Sequence, residues 1–170
     1  KEGNLHIYDI RNPKSDSLIT LDIAADSVKH YSEFTFSDDE KRVLLSVGTE
    51  PVYRHSVLAH YFVYDFQTRK LEPLFAGGKQ QFAEFSPDGQ RIAFIFNNNL
   101  YIKDLNRNTI TQVTRDGEAN KVINGLPDWV YEEEFSPVDG DGMAATKWSP
   151  DGSKLAFIRF DESEVPQIPL

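Results

Sequence analysis

The chain has 170 residues, the size of one ordinary domain, and its 27 acidic against 18 basic residues give a net charge of −9. This negative field repels phosphate backbones and argues against nucleic acid as a partner. The sequence has no cysteine, which excludes disulfides and thiolate metal sites within it. Because it begins at Lys1 without an initiator Met, we expect it to be a segment of a longer protein.

A short motif occurs three times and organises the chain. It consists of an aromatic residue, Ser, a turn, a basic residue and an apolar run, and its copies occupy residues 36–45, 85–94 and 148–157. In the second and third copies the turn reads Pro-Asp-Gly, where Pro presets one backbone angle and Gly adopts a left-handed conformation at little cost. Apolar runs rich in β-formers flank the turns, so each copy predicts a β-hairpin.

A second element occurs at residues 6–10, 62–66 and 101–105, each time followed by a polar turn and a short strand. One hairpin and one such element together make a four-stranded unit of about 40 to 50 residues, which is the period of a β-propeller blade. A closed propeller needs at least about four blades. We therefore expect this chain to form part of a ring.

The predicted fold is all-β: a partial β-propeller of about three to four blades of four-stranded antiparallel sheet, with a short helical insertion near 129–135. The predicted divisions, in chain order, are a partial blade at 5–20, a blade at 31–75, a blade at 80–114, an insertion at 115–144 and a partial blade at 145–160.

The insertion is where binding residues are expected, because long excursions from a rigid scaffold often carry function. Between Lys121 and Lys147 the sequence has six acidic residues and no basic one. Some of these acids stand beside Trp129, Tyr131 and Phe135, aromatic residues that favour burial. A buried carboxylate needs a partner, so we expect a cation, either a ligand ammonium or a basic residue from elsewhere. A solvated acidic loop is the alternative interpretation.

Two adjacent Glu residues in a strand would point to opposite faces and would not bind one cation together. Binding one cation therefore requires a helical turn or an irregular loop, and we expect a short helix at about 129–135. Asp128, immediately before it, is suited to cap its amino terminus.

Residues 128–135, which read Asp-Trp-Val-Tyr-Glu-Glu-Glu-Phe, resemble the glutamate motif of the dipeptidyl peptidase IV family of prolyl oligopeptidase-type serine peptidases. The order of residues 148–152 and 160–166 also resembles that family. Residues 53–65, with Arg54, are similar to its arginine-bearing blade.

The resemblance implies a substrate-recognition role in an enzyme that removes dipeptides from free amino termini, preferring Pro or Ala in second position. It implies that Glu133 and Glu134 bind the substrate's α-ammonium and that Arg54 contacts a substrate backbone carbonyl. Glu132 matches the first Glu of the triplet and lies outside that pair. The resemblance also implies an extracytoplasmic location (periplasmic, secreted or membrane-anchored) and a possible homodimer.

No catalytic residue is expected in this chain. Members of the family use a Ser in a Gly-x-Ser-x-Gly elbow, with Asp and His, in a carboxyl-terminal α/β-hydrolase domain. No Gly of the sequence is followed two residues later by Ser, so we expect the chain alone to be inactive. No cofactor or metal is expected either, because the four histidines lack the spacing of a zinc site.

Two other functions stay open. One is a related exopeptidase that releases tripeptides, and product length would separate it from a dipeptidyl peptidase. The other is a non-enzymatic propeller that acts as a scaffold or adaptor, which the absence of a hydrolase domain from the full-length protein would favour.

Overall fold

The computed structural model describes residues 5–7, 11, 19–21, 28, 30–134 and 145–166. Within these ranges the chain forms short strands and one short helix, α1 at Trp129–Glu134. The strands are β1 (Leu5–Ile7), β2 (Ile19–Leu21), β3 (Tyr31–Phe36), β4 (Arg42–Pro51), β5 (Val57–Asp65), β6 (Lys70–Pro73), β7 (Gln80–Phe85), β8 (Arg91–Phe96), β9 (Asn99–Asp104), β10 (Thr109–Gln112), β11 (Val122–Asn124), β12 (Thr146–Trp148), β13 (Leu155–Phe157) and β14 (Arg159–Asp161).

Every strand pair is antiparallel. Strands β3 to β6 form one four-stranded meander and β7 to β10 form a second, and short pairing between β5 and β7 joins them. Strands β1 and β2 pair with each other, β12 pairs with β13, and β11 pairs with β14. The predicted all-β partial propeller with a short helix near 129–135 is thus confirmed. Its division into blades at the predicted boundaries stays a prediction, and residues 135–144 of the insertion lie outside the described residues.

The three repeated motifs form hairpins with one shared hydrogen-bond network. In the first, the Ser37 hydroxyl donates to Asp39 Oδ1 at 2.7 Å and accepts the Arg42 N–H at 3.0 Å. The same contacts recur in Ser86, Asp88 and Arg91 and in Ser149, Asp151 and Lys154. The turn is therefore closed by side chains of the motif itself, and this explains why a local pattern suffices to predict it.

The core lies between stacked sheets. In β4, Val43 and Leu45 pack into one apolar cluster while Leu44 between them packs into another. In β8, Ile92 joins the cluster of Leu44, whereas Ala93 on the other face joins a third. Successive residues of β4 and of β8 thus point to opposite faces of the sheet, and both faces are buried. Face-to-face packing of blades requires this arrangement.

Polar contacts connect successive hairpins. Arg42 in β4 pairs with Asp65 at 3.0 Å and donates to the Gly89 carbonyl in the turn of the next hairpin at 2.8 Å. Arg91, at the matching position of that hairpin, lies over the Trp148 ring of the following one, 5.6 Å from its centroid. Because the basic residues of the first two motifs reach the next unit, these motifs contribute to packing between blades as well as to their own turns.

The hairpin of β4 and β5 is longer than its counterpart in the next meander, with strands of 10 and 9 residues against 6 and 6. Its distal part, residues 48–60, is called the hairpin arm below. A β-bulge between Val47 and Glu50 marks its base, where Gly48 adopts a left-handed φ of 62°. Lys79 pairs with Glu50 at 2.8 Å and also contacts the Gly48 carbonyl, which fixes the arm to the start of the next meander.

Among the residues that the structure describes, no helix has the length and apolar character needed to cross a membrane.

Candidate functional site

Helix α1 begins where the sequence predicts a cap. The Asp128 carboxylate accepts the N–H of Tyr131 at 2.6 Å, and the Asp128 carbonyl accepts the N–H of Glu132 at 2.9 Å. The first contact satisfies an amide that has no partner within the helix, and the second is the first backbone hydrogen bond of the helix itself. The described part of the helix extends to Glu134. The predicted capping role of Asp128 is confirmed.

Two contacts fix the helix to the sheets, one from the segment just before it and one from the helix itself. Leu126, two residues before the cap, is buried in the apolar cluster that contains Trp148. Tyr131 packs edge-on against Phe160 of β14, with ring centroids 5.5 Å apart. The position of the helix is therefore set by packing against the scaffold, which a six-residue helix needs because it is not stable alone.

The hairpin arm brings Arg54 to this helix. Its Nη1 lies 3.0 Å from Glu133 Oε2, in an ion pair whose Arg side chain is 71% exposed and whose Glu side chain is 10% exposed. Glu133 is thus largely withdrawn from water while its partner is open to it. The loop that carries Arg54 is closed by a hydrogen bond from the Val52 N–H to the Ser56 carbonyl at 2.8 Å.

Glu132 faces the arm as well. It is 1% exposed, and its Oε1 accepts the backbone N–H groups of His55 at 2.9 Å and Ser56 at 3.1 Å. A buried carboxylate is tolerated when hydrogen bonds compensate its lost hydration, and two charge-assisted bonds do so here. The cation that the sequence led us to expect beside the acidic segment is therefore supplied in part by Arg54 of the same chain, and backbone amides serve Glu132.

One expectation about this segment is wrong. Trp129 and Tyr131 were expected to be buried, but 55% of Trp129 and 37% of Tyr131 are exposed. The reason is that α1 turns Glu132 towards the arm, and a helix this short cannot bury its other side against the same element. Phe135, the third aromatic residue of the segment, lies outside the described residues.

Negative charge dominates the surroundings of α1. Burial raises the pKa of Tyr53, and the carboxylates of Glu162, Glu132 and Asp128 raise it further. Burial also raises the pKa of Glu162, with a contribution from Asp128. Burial is the main cause of both pKa shifts, and the nearby carboxylates, which would favour a bound cation, add to each.

The structure brings two of the three predicted site residues into contact, Arg54 and Glu133. Glu134 is exposed and follows Glu133 directly on the helix, so the two side chains leave the axis about 100° apart. Glu134 makes no ion pair with the part of the chain that the structure describes. In that part, no group of three or more His, Asp or Glu side chains is arranged to hold a metal ion.

Sequence reasoning missed the contacts of Glu132 and Lys79. Glu132 was placed outside the binding pair, and nothing in its neighbours indicated that it would accept amides 76 and 77 residues away. A usable signal existed for the arm, because the segment between the two strands of its hairpin is much longer than the matching segment of the next repeat.

A separate cleft of about 380 Å³ lies on the edge of the two meanders, with Arg42, Glu72 and Lys103 among its lining residues. Lys103 donates to the carbonyls of Pro73 and Leu74, both at 3.1 Å, and burial lowers its pKa. None of the predicted site residues lines this cleft. Lys103, which lines the cleft, connects the two meanders, and the cleft lies apart from the site on α1.

The stacked antiparallel units, with a helix inserted beside a long hairpin arm, define part of a β-propeller. Residues 37–170 match the family described as the dipeptidyl peptidase IV (DPP IV) N-terminal region. The chain belongs to this family.

Individual relatives agree with that assignment. The probable dipeptidyl-aminopeptidase B of Chaetomium globosum is 42% identical over 138 residues, which are 79% of this chain and 14% of the relative. The protein of the same name from Metarhizium robertsii is 44% identical over 135 residues, covering 77% of this chain and 14% of the relative. The crystal structure of Porphyromonas gingivalis dipeptidyl peptidase 4 superposes with a TM-score of 0.76 at 41% identity, covering 81% of this chain and 19% of that one. This chain therefore spans only a small part of the length of these relatives.

Proposed function

We propose that this chain is the substrate-recognition segment of a serine exopeptidase that removes dipeptides from free amino termini, preferring Pro or Ala in second position. Glu133 and Glu134 bind the substrate's α-ammonium, and Arg54 contacts a backbone carbonyl of the substrate. The observation that carries this proposal is the contact between Arg54 and the largely buried Glu133 at 3.0 Å, formed by two elements distant in sequence.

Charge at the end of α1 supports an ammonium ligand. Three Glu residues occupy the last positions of the helix, and its last turn has no basic residue. Carboxylates at this end are disfavoured by the partial negative charge of the helix terminus, which favours cations. Glu132 accepts hydrogen bonds from backbone amides, and Glu133 pairs with Arg54. The charge of Glu134 is therefore available to a bound ammonium.

An ammonium held at a fixed point also defines the cleavage frame. Charge-assisted hydrogen bonds to two carboxylates would fix the first residue of the peptide, and the distance to the nucleophile would then select the second peptide bond. A blocked terminus has no charge to compensate the desolvation of Glu133, so acylated peptides would bind poorly.

The nucleophile belongs, in this proposal, to a carboxyl-terminal α/β-hydrolase domain of the same full-length protein. The names of the relatives support the proposed release of dipeptides, since they are called dipeptidyl peptidases or dipeptidyl-aminopeptidases. An extracytoplasmic location and a homodimeric assembly, as in enzymes of this family, are part of the proposal. The segment alone would hydrolyse nothing.

The test uses the full-length protein and a peptide with Pro in second position, once with a free and once with an acetylated amino terminus. Mass spectrometry of the products should show release of the first two residues from the free peptide and no cleavage of the acetylated one. Release of a tripeptide would favour a tripeptidyl peptidase. Absence of any product from both peptides would contradict an enzymatic role and favour a scaffold.

A further inference from the structure

Glu132 binds the backbone of the hairpin arm. We propose that Glu132 is a positioning residue that places Arg54 beside Glu133 by holding the backbone of the arm, an inference that rests on the function proposed above. Its Oε1 accepts the N–H groups of His55 at 2.9 Å and Ser56 at 3.1 Å, the two residues that directly follow Arg54.

The partners of Glu132 are main-chain groups, and this determines what the contact does. Backbone amides occupy places set by the path of the chain, so bonds to them fix the main chain of the loop and not one side-chain rotamer. Glu132 is 1% exposed, so these bonds compete little with water. The backbone at Arg54 is therefore held in place relative to α1.

The ion pair by itself would not position Arg54. The Arg54 side chain is 71% exposed, and an ion pair of a long, solvated side chain contributes little because it restricts many rotamers and is screened by water. Glu133 pairs with the guanidinium of Arg54, whereas Glu132 binds the backbone N–H groups of His55 and Ser56, the two residues that follow Arg54. Adjacent residues of the helix thus bind adjacent residues of the loop.

Loss of Glu132 would leave the charge of Arg54 intact and release its backbone. Displacement of a substrate-contacting group by about 1 Å can lower the rate roughly 100-fold. We therefore expect Glu132→Ala to act on the substrate through Arg54, and its effect should depend on whether Arg54 is present.

A double-mutant cycle in the full-length protein tests this dependence. Glu132→Ala, Arg54→Ala and the double variant are compared by kcat/KM on a chromogenic Xaa-Pro substrate. Glu132→Ala should lower kcat/KM at least ~10-fold when Arg54 is present and less than ~2-fold when it is absent. Equal losses in the two backgrounds would show a general structural role and overturn the inference.

Two further variants sharpen the test. Glu132→Gln keeps an acceptor oxygen and should restore most of the kcat/KM that the Ala variant loses. Glu118→Ala is the matched control, since Glu118 is an exposed acid of the same insertion whose side chain pairs with Lys121, and it should leave kcat/KM unchanged. If Glu132→Ala does not fold, Glu132→Asp, whose carboxylate is one methylene short of the amides, takes its place.

Hydrogen exchange gives a readout that is independent of catalysis. The amides of His55 and Ser56 should exchange slowly in the wild type and in Glu132→Gln, and at least ~10-fold faster in Glu132→Ala. Unchanged exchange in the Ala variant would overturn the inference. If the wild type releases no dipeptide, the proposed function fails and the positioning role for substrate fails with it. If the wild type is active and the cycle is additive, only the inference fails.

Discussion

Arg54 and Glu133 lie on a hairpin arm and an inserted helix that are distant in sequence, yet the Arg54 Nη1 and the Glu133 Oε2 are 3.0 Å apart. The arm reaches the helix because its strands continue past the bulge at Gly48, and Lys79 ties its base to the next meander. The site is therefore assembled by two irregular additions to a regular scaffold. A regular pair of blades would hold neither residue at this point.

The two carboxylates at the end of α1 are expected to carry substrate binding. In the full-length protein, Glu133→Ala and Glu134→Ala should each lower kcat/KM for dipeptide release roughly 100-fold, because each removes one charged partner of the ammonium. Steady-state kinetics on an Xaa-Pro substrate checks this, with Glu118→Ala as the control. Kinetics unchanged in both variants would remove these residues from the binding site.

Arg54 is expected to affect both binding and turnover. Arg54→Ala should raise KM and lower kcat, with a loss of about 10- to 100-fold in kcat/KM, since it removes a contact to the substrate carbonyl. Arg54→Lys keeps the charge but not the planar arrangement of donors, so its kcat/KM should lie between those of the wild type and Arg54→Ala. An Ala variant with wild-type kinetics would show that Arg54 serves only as a structural partner of Glu133.

The first repeat carries a non-glycine residue where the others have Gly. Glu40 has a φ of 55°, whereas Gly89 and Gly152 occupy the matching turn positions with φ of 65° and 66°. Glu40→Gly should stabilise the fold by about 0.5 kcal/mol, because relief of backbone strain exceeds the added entropy of the unfolded chain. The thermal unfolding midpoint of the full-length protein should rise, and a lower midpoint would contradict this argument.

Gly89→Ala is the reciprocal change. An added Cβ would lie 3.1 Å from Asp39 Oδ1 of the preceding hairpin, in a backbone conformation that disfavours Ala. We expect a loss of about 1 kcal/mol or more and a lower unfolding midpoint. A variant as stable as the wild type would show that the turns of neighbouring hairpins are not tightly packed.

Asp39 is expected to make the stability of the fold depend on pH in the acidic range. The hydrogen bond from Ser37, followed by that from Lys41, lowers its pKa from 3.8 to about 2. A carboxyl whose pKa is lower in the folded state than in the unfolded state stabilises the fold at any pH above the unfolded-state pKa. This stabilisation is lost as the pH falls from about 3.8 to about 2. Asp39→Asn should reduce stability at pH 7 and flatten its pH dependence in that window. Denaturant unfolding at several pH values measures this, with exposed Asp38→Asn as the control. An unchanged pH profile would contradict the assignment.

The parts of the fold that the sequence predicts are those with local causes. The three hairpins follow from a motif whose Ser, Asp and basic residue bond to one another within six positions, as Ser37, Asp39 and Arg42 do. The start of the helix follows from Asp128, whose carboxylate caps it. The hairpins and the helix cap depend on neighbours in sequence, so no knowledge of the distant chain is required to predict them.

The site depends on distant contacts, which a single sequence does not encode in any local pattern. Glu132 and Glu133 look alike in sequence, yet one bonds to backbone amides and the other to Arg54. Residue types alone predict an acidic segment that needs a partner, whereas the identity of the partner depends on the length and bend of the arm. The exposure of Trp129 was mispredicted for the same reason, because burial is decided by which element packs on which side of the helix.

The most direct test of the proposed binding site is a crystal structure of the full-length protein with a bound peptide that has a free amino terminus. The account predicts that the α-ammonium nitrogen lies about 2.7 to 2.9 Å from carboxylate oxygens of both Glu133 and Glu134, with Arg54 beside the peptide backbone. An ammonium bound elsewhere, with both of these carboxylates facing water, would contradict it.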